Sequence, residues 1–299
     1  MNITRFRHVG IVVPDFDASR TFFKETWGLR ETAYVDGRSF LATQNGEPYQ
    51  LVLSAGAERR LERIGYGVQT RANVDTAAQE LAASGVALVE EPHDLAAPGA
   101  GYGLAFLDPD GRYVAISSDV QLSEPTTEAT FPRVLEHLVV NTPDIDRSTN
   151  FYQNVLGMRI SDWSEHQMSF LRCNQHHHVI AFNAADFPSY NHTAWAMASL
   201  DELFRGQGRL RAKGTEVKWG TGRHGPGEHV FSYFIEPSGF VVEYTADGRM
   251  IHNETAWTPQ VWKRSPAFMD TWGTAGPPSP EVRAAMAGVP DPGYQPTPA

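Results

Sequence analysis

Three residues in the second half of the chain could together do redox or Lewis-acid chemistry: His137, His192 and Glu243. Two imidazoles and one carboxylate form the ligand set of a mononuclear non-haem Fe(II) facial triad, which leaves positions open for substrate and oxygen. The three stand 55 residues apart (192 minus 137) and 51 apart (243 minus 192), each in its own strand-like run, HLVVNT, HTAWAM and FVVEYT. Three strands of one curved sheet can aim three side chains at one point. Any one of them alone is explained by hydrogen bonding within a sheet. Glu243, however, lies between Val242 and Tyr244, where burying a carboxylate without a cation is costly.

The elements that would position these residues are written twice. RHVGIVVPDFDASRTFFKETWGLR, residues 7–30, recurs as EHLVVNTPDIDRSTNFYQNVLGMR, residues 136–159, an offset of 129 from His8 to His137. NVDTAAQELAASGVALV answers SLDELFRGQGRLRAKGTEV, and LAFLDPDGRYVAISSD answers FSYFIEPSGFVVEYTAD. Laid over one another, the copies set His137 on His8, His192 on Tyr66 and Glu243 on Ala115, so the triad belongs to the second copy alone.

Alternation and turn residues predict strands at HLVVNT, RISDW, MSFLRC, HVIAFN, HTAWAM, HVFSYFI and FVVEYT in the second copy. Helices are expected over DRSTNFYQNVL, capped by Asp144 or Asp146, and over SLDELFRGQGRLRAKG, capped by Ser199 and stopped at Gly214. Each copy reads as two βαβββ-like modules, and four modules make an α+β chain with two curved, mixed sheets. The expected boundaries are 1–122 for a metal-free domain, 132–250 for a metal-binding domain and 251–299 for a tail. The tail is Pro-rich, and its Trp257, Trp262, Phe268 and Trp272 predict packing onto the domain or a neighbouring subunit, with the last ten or so residues loose.

Composition narrows the rest. A chain of 299 residues exceeds what one core usually serves, so two domains are expected. No run approaches the roughly 18 apolar residues that span a bilayer, and MNITRFRHVG lacks a secretory pattern, which points to the cytoplasm and no membrane partner. The net charge of −10 argues against nucleic acid as a partner. A single cysteine, Cys173, excludes an intrachain disulfide and a thiolate metal cluster.

The stretches EHLVV, CNQHHHVIAF, NHTAWAM and GRHGPGEHVFSYFIEPSGFVVEYTAD resemble the catalytic domain of the type I extradiol ring-cleaving dioxygenases of the vicinal oxygen chelate superfamily. The resemblance runs from about residue 5 to about residue 250, the first copy matching that family's metal-free partner domain. It implies tandem vicinal oxygen chelate domains, a homo-oligomer, and Fe(II), less often Mn(II), held by His137, His192 and Glu243. It implies O2 as co-substrate with a catechol, His178 as the acid/base, and His224 and Tyr233 in contact with the catecholate or bound oxygen. Arg223 and Asn174 lie in the same segments as further substrate-binding candidates. Glu236 and Ser238 stand where Asp is commoner, a departure expected to affect only the turn.

Extradiol cleavage needs one group to accept a catechol proton and another to deliver one, and an imidazole near pKa ~6.5 suits either task. In HHHVIAF, period two puts His176 and His178 on one side, while a one-residue shift of the strand selects His177. Trp163, Phe170, Phe182, Phe187, Trp195 and tail residues are candidate pocket walls, suiting a substituted or bicyclic catechol. With no obvious Lys or Arg cluster, a carboxylated catechol is less favoured. Two other classes share the fold: non-oxidative metalloenzymes (isomerases, epimerases, thiol transferases) and metal-free ligand-binding proteins.

Overall fold

The computed structural model describes residues 1–128 and 130–292. Its first half runs β1 (Arg5–Val13), α1 (Phe16–Thr21) extended by a π-turn through Trp27, then β2 (Arg30–Val35), β3 (Arg38–Ala42) and β4 (Leu51–Ala55). A second unit of the same plan follows: β5 (Arg60–Gly67), α2 (Arg71–Ala83), β6 (Leu88–Asp94), β7 (Tyr102–Leu107) and β8 (Tyr113–Ser118).

The second half repeats both units. β9 (Val134–Thr142), α3 (Ile145–Asn154), β10 (Arg159–Ser164), β11 (Met168–Arg172) and β12 (Ile180–Ala184) form one. β13 (Ser189–Ala196), α4 (Leu200–Ala212), β14 (Trp219–Arg223), β15 (Val230–Ile235) and β16 (Val241–Ala246) form the other. The tail adds β17 (Gln260–Trp262), α5 (Pro266–Met269) and α6 (Pro280–Ala287). The four βαβββ modules and two mixed sheets are those expected.

Sheet order is β2-β3-β4-β1-β5-β8-β7-β6 in the first half and β14-β15-β16-β13-β9-β12-β11-β10-β17 in the second. β9 and β13, at the centre, pair antiparallel, and each has a parallel neighbour, β12 and β16. Both are therefore flanked by a paired strand on each edge, and VLEHLVVNT and SYNHTAWA are buried almost throughout.

The helices begin as anticipated: Asp144 accepts from Arg147 N–H and Ser199 from Glu202 N–H. Three strands, β6, β14 and the tail's β17, escape sequence reading, the first two for a reason visible in their residues. LVEEPHD is charged and carries a proline, and WGTGR has two glycines, so neither shows strand alternation. The histidine run is a second departure. β12 starts only at Ile180, and residues 174–179 form an irregular loop in which His176 makes a single bridge to Met250. The alternation argument fails there, and both His177 and His178 are buried.

One apolar core joins the halves. Trp27 packs on Tyr244 with ring centroids 4.0 Å apart and meets Phe234 edge-on, while the Tyr244 hydroxyl donates to the Trp27 carbonyl. Polar contacts cross in matching places. Ser19 of α1 donates to Glu236 at 2.6 Å and lies 2.8 Å from Ser238 in the β15–β16 turn, and Ser148 of α3 donates to Asp110 in the β7–β8 turn. Glu236 and Ser238 thus reach beyond their turn, because that turn is pressed against the other half.

Candidate active site

His137 lies on β9, His192 on β13 and Glu243 on β16, three adjacent central strands. Ala194 is in register with both His137 and Glu243, and His192 precedes it by two, so all three side chains share one face. Glu243 Oε2 stands 3.4 Å from His137 Nε2 and 3.3 Å from His192 Nε2. One ligand atom from each lies within 4.8 Å of the others.

The same registers correct the overlay of the two copies. Gly65 faces His8 and Ala115 as Ala194 faces His137 and Glu243, so Arg63, not Tyr66, matches His192. The following helices keep that strand offset, Arg71–Ala83 against Leu200–Ala212 with caps Thr70 and Ser199, so setting Asp75 against Asp201 slides the overlay by three residues.

The electrostatics suit a cation. Both Glu243 oxygens are buried without a hydrogen-bond donor, as is His137 Nδ1. Burial alone would raise the Glu243 pKa, but the surrounding His137, His192 and His224 outweigh it and hold the carboxyl well below its usual range. Burial, only partly offset by Glu243, pushes His137 down to about 4, so its ring is neutral and its lone pair available at neutral pH. Asn191 Oδ1 accepts from His192 Nδ1 at 2.7 Å, which leaves Nε2 unprotonated. An N,N,O set of buried, deprotonated, underbonded donors fits Fe(II) or Mn(II).

His137, His178 and His229 also lie close enough to share an ion. That grouping lacks a carboxylate, and Glu136, 3.3 Å from His229 Nε2, overcomes the effect of burial to raise the His229 pKa. His229 is better placed as a charged partner of Glu136, which also stands 3.3 Å from His176.

His178 sits beside His137 with ring centroids 4.1 Å apart. Burial, then the rings of His137, His229 and His177, keep its pKa well below the ordinary value. Asp162 Oδ2 accepts from His177 Nε2 at 3.1 Å, so His177 Nδ1 is an acceptor and takes the proton on His178 Nδ1 at 3.0 Å. The remaining nitrogen of His178, Nε2, is left with its lone pair. Across the site, His224 Nδ1 donates to the Met269 carbonyl at 2.8 Å, so its Nε2 accepts from the Tyr233 hydroxyl at 3.0 Å. His224 stacks on Phe231 and Tyr233 on Trp219, which fixes both rings.

His137, His178, His192, His224 and His229 line a cavity of about 400 Å³, and Tyr233 and Glu243 lie buried behind its wall. Of the aromatic candidates, Phe170 lines it. Phe182 and Trp195 are buried in the core because period two turns them to the helix side, Trp163 packs partly buried against the core, and Phe187 is not on the wall. Nor does the structure bring Asn174 or Arg223 to the wall. Asn174 accepts from the His176 N–H in its loop, and the Arg223 guanidinium lies over Trp272. Asn141, Asn183 and Asn191 line the cavity instead.

The tail forms much of the wall. β17 pairs with β10 in parallel, Asp162 Oδ1 accepts from Gln260 N–H, and Asp162 Oδ2 accepts from Trp262 Nε1, both at 2.8 Å. Trp262, Phe268, Met269 and Met286 supply apolar surface, and Lys263, Arg264 and Arg283 supply charge. Asp162, Glu136 and His229 were missed by sequence reasoning, and His177 was named there only as the alternative to His178. His229 was the findable one, since it opens a predicted strand as His137 and His192 do.

Residues 5–116 and 134–244 match the model of the Glyoxalase/Bleomycin resistance protein/Dioxygenase superfamily. The chain belongs to that superfamily. Among solved members, the Mn(II)-bound glyoxalase from Novosphingobium aromaticivorans is 35% identical, with a TM-score of 0.90 over 99% of this chain and 96% of that one. Biphenyl-2,3-diol 1,2-dioxygenase of Paraburkholderia xenovorans is 28% identical over 88% of this chain and 95% of its own length. Metapyrocatechase 2 of Cupriavidus necator is 31% identical over 60% of this chain, the match spanning 62% of that enzyme. The resemblance to extradiol dioxygenases read from the sequence is borne out, and among the described residues no helix is long and apolar enough to cross a membrane.

Proposed function

We propose that the protein is an extradiol dioxygenase that opens the ring of a substituted or bicyclic catechol beside its diol, using Fe(II) and O2. The observation that carries this reading is the buried, underbonded His137–His192–Glu243 set with a lone-pair imidazole, His178, at its side. Mn(II) is the alternative metal, given the manganese in the Novosphingobium relative. When bound, the metal would chelate the two diol oxygens and offer O2 a position next to them.

The chain's own groups would handle the protons. His178 Nε2, held neutral and backed by His177 and Asp162, can accept a diol proton and return it during cleavage. Tyr233 and His224 form a fixed hydroxyl–imidazole pair on the other side, suited to orienting the diol oxygen. Apolar walls exclude water from the ring, and about 400 Å³ exceeds what one catechol ring requires.

The expectation against a carboxylated catechol rested on the lack of a basic cluster. The fold assembles one at the cavity wall from Lys263, Arg264 and Arg283, none of which has a carboxylate partner among the described residues. An anionic substituent far from the diol is therefore compatible with the site. A homo-oligomer in the cytoplasm completes the proposal.

The test is anaerobic loading with Fe(II), then oxygen uptake and visible absorbance across neutral and anionic, mono- and bicyclic catechols. Stoichiometric uptake with a coloured ring-opened product, lost in Glu243→Ala, is expected. Bound iron without uptake on any catechol would favour a non-oxidative metalloenzyme, and absence of metal binding a ligand-binding protein.

A further inference from the structure

The first half has a hollow of its own, about 950 Å³ on the concave face of the first sheet. The corrected register shows what stands there in place of the triad. Where the second half has His137, His192 and Glu243, the first has His8, Arg63 and Ala115, and all three line the hollow. A ligand imidazole is replaced by a fixed cation, and the carboxylate is removed. The arrangement that fits a metal ion in one half is inverted into one that fits an anion in the other.

The groups around Arg63 leave it with capacity to spare. Its Nε is buried without a hydrogen-bond acceptor, and its acidic neighbour Glu62, 3.6 Å away, also faces Arg38 at 3.6 Å and accepts from Ser54. Arg7, nine-tenths buried, uses one terminal nitrogen on Glu47 at 2.6 Å while its Nε has no acceptor. Glu90 on the wall accepts from the Tyr113 hydroxyl, and Asp36 is exposed at the rim. Burial, then Arg63 and Arg7, push the His8 pKa down to about 3, so its ring is neutral and adds no charge to the floor of the hollow, and Glu47 on the same wall is taken up by Arg7. Guanidinium Nε atoms buried without acceptors, as in the partly exposed Arg63 and the buried Arg7, lower stability in a domain that is only a scaffold.

The ring surfaces say what kind of anion. Tyr49 lies between His8 and Phe40, with centroids 4.8 and 5.0 Å away, and Arg63 sits over Tyr113. A guanidinium fork matches a planar carboxylate, and flat aromatic walls match a flat ring. We propose that this hollow is a second ligand site, for a small aromatic carboxylate bound with its anionic end on Arg63 over Ala115 and its ring against Tyr49 and Phe40.

Calorimetry on the full-length, metal-loaded protein with 2-naphthoate tests it, with 2-naphthylmethanol as the neutral match and inorganic phosphate as a ringless anion. One saturable 2-naphthoate site is expected, at least tenfold weaker for the alcohol and for phosphate, and unaffected by saturating catechol under anaerobic conditions. Arg63→Gln should weaken it at least tenfold, and Ala115→Glu, which restores a carboxylate to the floor, should abolish it, with catechol turnover and melting temperature unchanged in Arg63→Gln. Absence of binding, competition by catechol, equal binding of phosphate, or full affinity in Arg63→Gln would each overturn the proposal. Because Arg63→Gln decides the matter alone, misfolding of Ala115→Glu does not rescue it.

Discussion

His192 is oriented through its Nδ1 by Asn191, and that single contact makes a quantitative expectation. Removing the acceptor in Asn191→Ala frees the ring to rotate and to take the other tautomer, so metal affinity should fall about 10- to 100-fold, as measured by competition with a chelator. Glu243→Ala should bind no stoichiometric metal at all. His8 gives a pH dependence independent of the triad. Its folded pKa, about 3, lies below the unfolded value near ~6.5, so the unfolded chain binds the extra proton between them. Stability from this group is complete above ~6.5 and is lost as pH falls towards 3. Urea midpoints across that range should fall less steeply with acid in His8→Gln than in the parent chain. The triad was legible because residue type and strand membership can be read directly from sequence. The partners of His178 were not, since Asp162 approaches from a strand 15 residues earlier and His177 turns inward only because the loop abandons alternation.

Among the elements, β17 has the largest functional load for its length of three residues. Asp162 on β10 binds both the tail, through Gln260 and Trp262, and the proton chain, through His177. Asp162→Ala should therefore act twice. Loss of two charge-assisted hydrogen bonds to the tail, about 1.5–3 kcal/mol each before relaxation, should raise KM about tenfold or more and speed proteolysis between residues 252 and 262. Loss of the His177 acceptor should also move the pH profile of kcat, which a change confined to the tail would leave in place. Strands such as β9 and β13 announce themselves because both faces are buried and the run is apolar throughout. β14 does not, since its position follows from pairing with β15 across glycines that have no side-chain pattern to read.

At the scale of the whole molecule, duplication was legible from the constant offset, but the way the copies clasp one another was not. Trp27 belongs to the first half and completes the core of the second, while Arg209 of α4 donates to the carbonyls of Thr26, Trp27 and Thr130. Trp27→Ala should cost about 3–5 kcal/mol in equilibrium unfolding and destabilise both halves together, in one transition by fluorescence and circular dichroism. Two separate transitions would show that the halves fold independently.

The segment that closes the catalytic cavity has no counterpart in the duplicated modules. The groups that would perform the chemistry come from the repeat, and much of the wall that selects its substrate comes from after it. The two can therefore be inherited and altered separately. A chimera that takes residues 253–292 from one such protein and the preceding modules from another should keep the reaction of the second while acquiring the substrate range of the first.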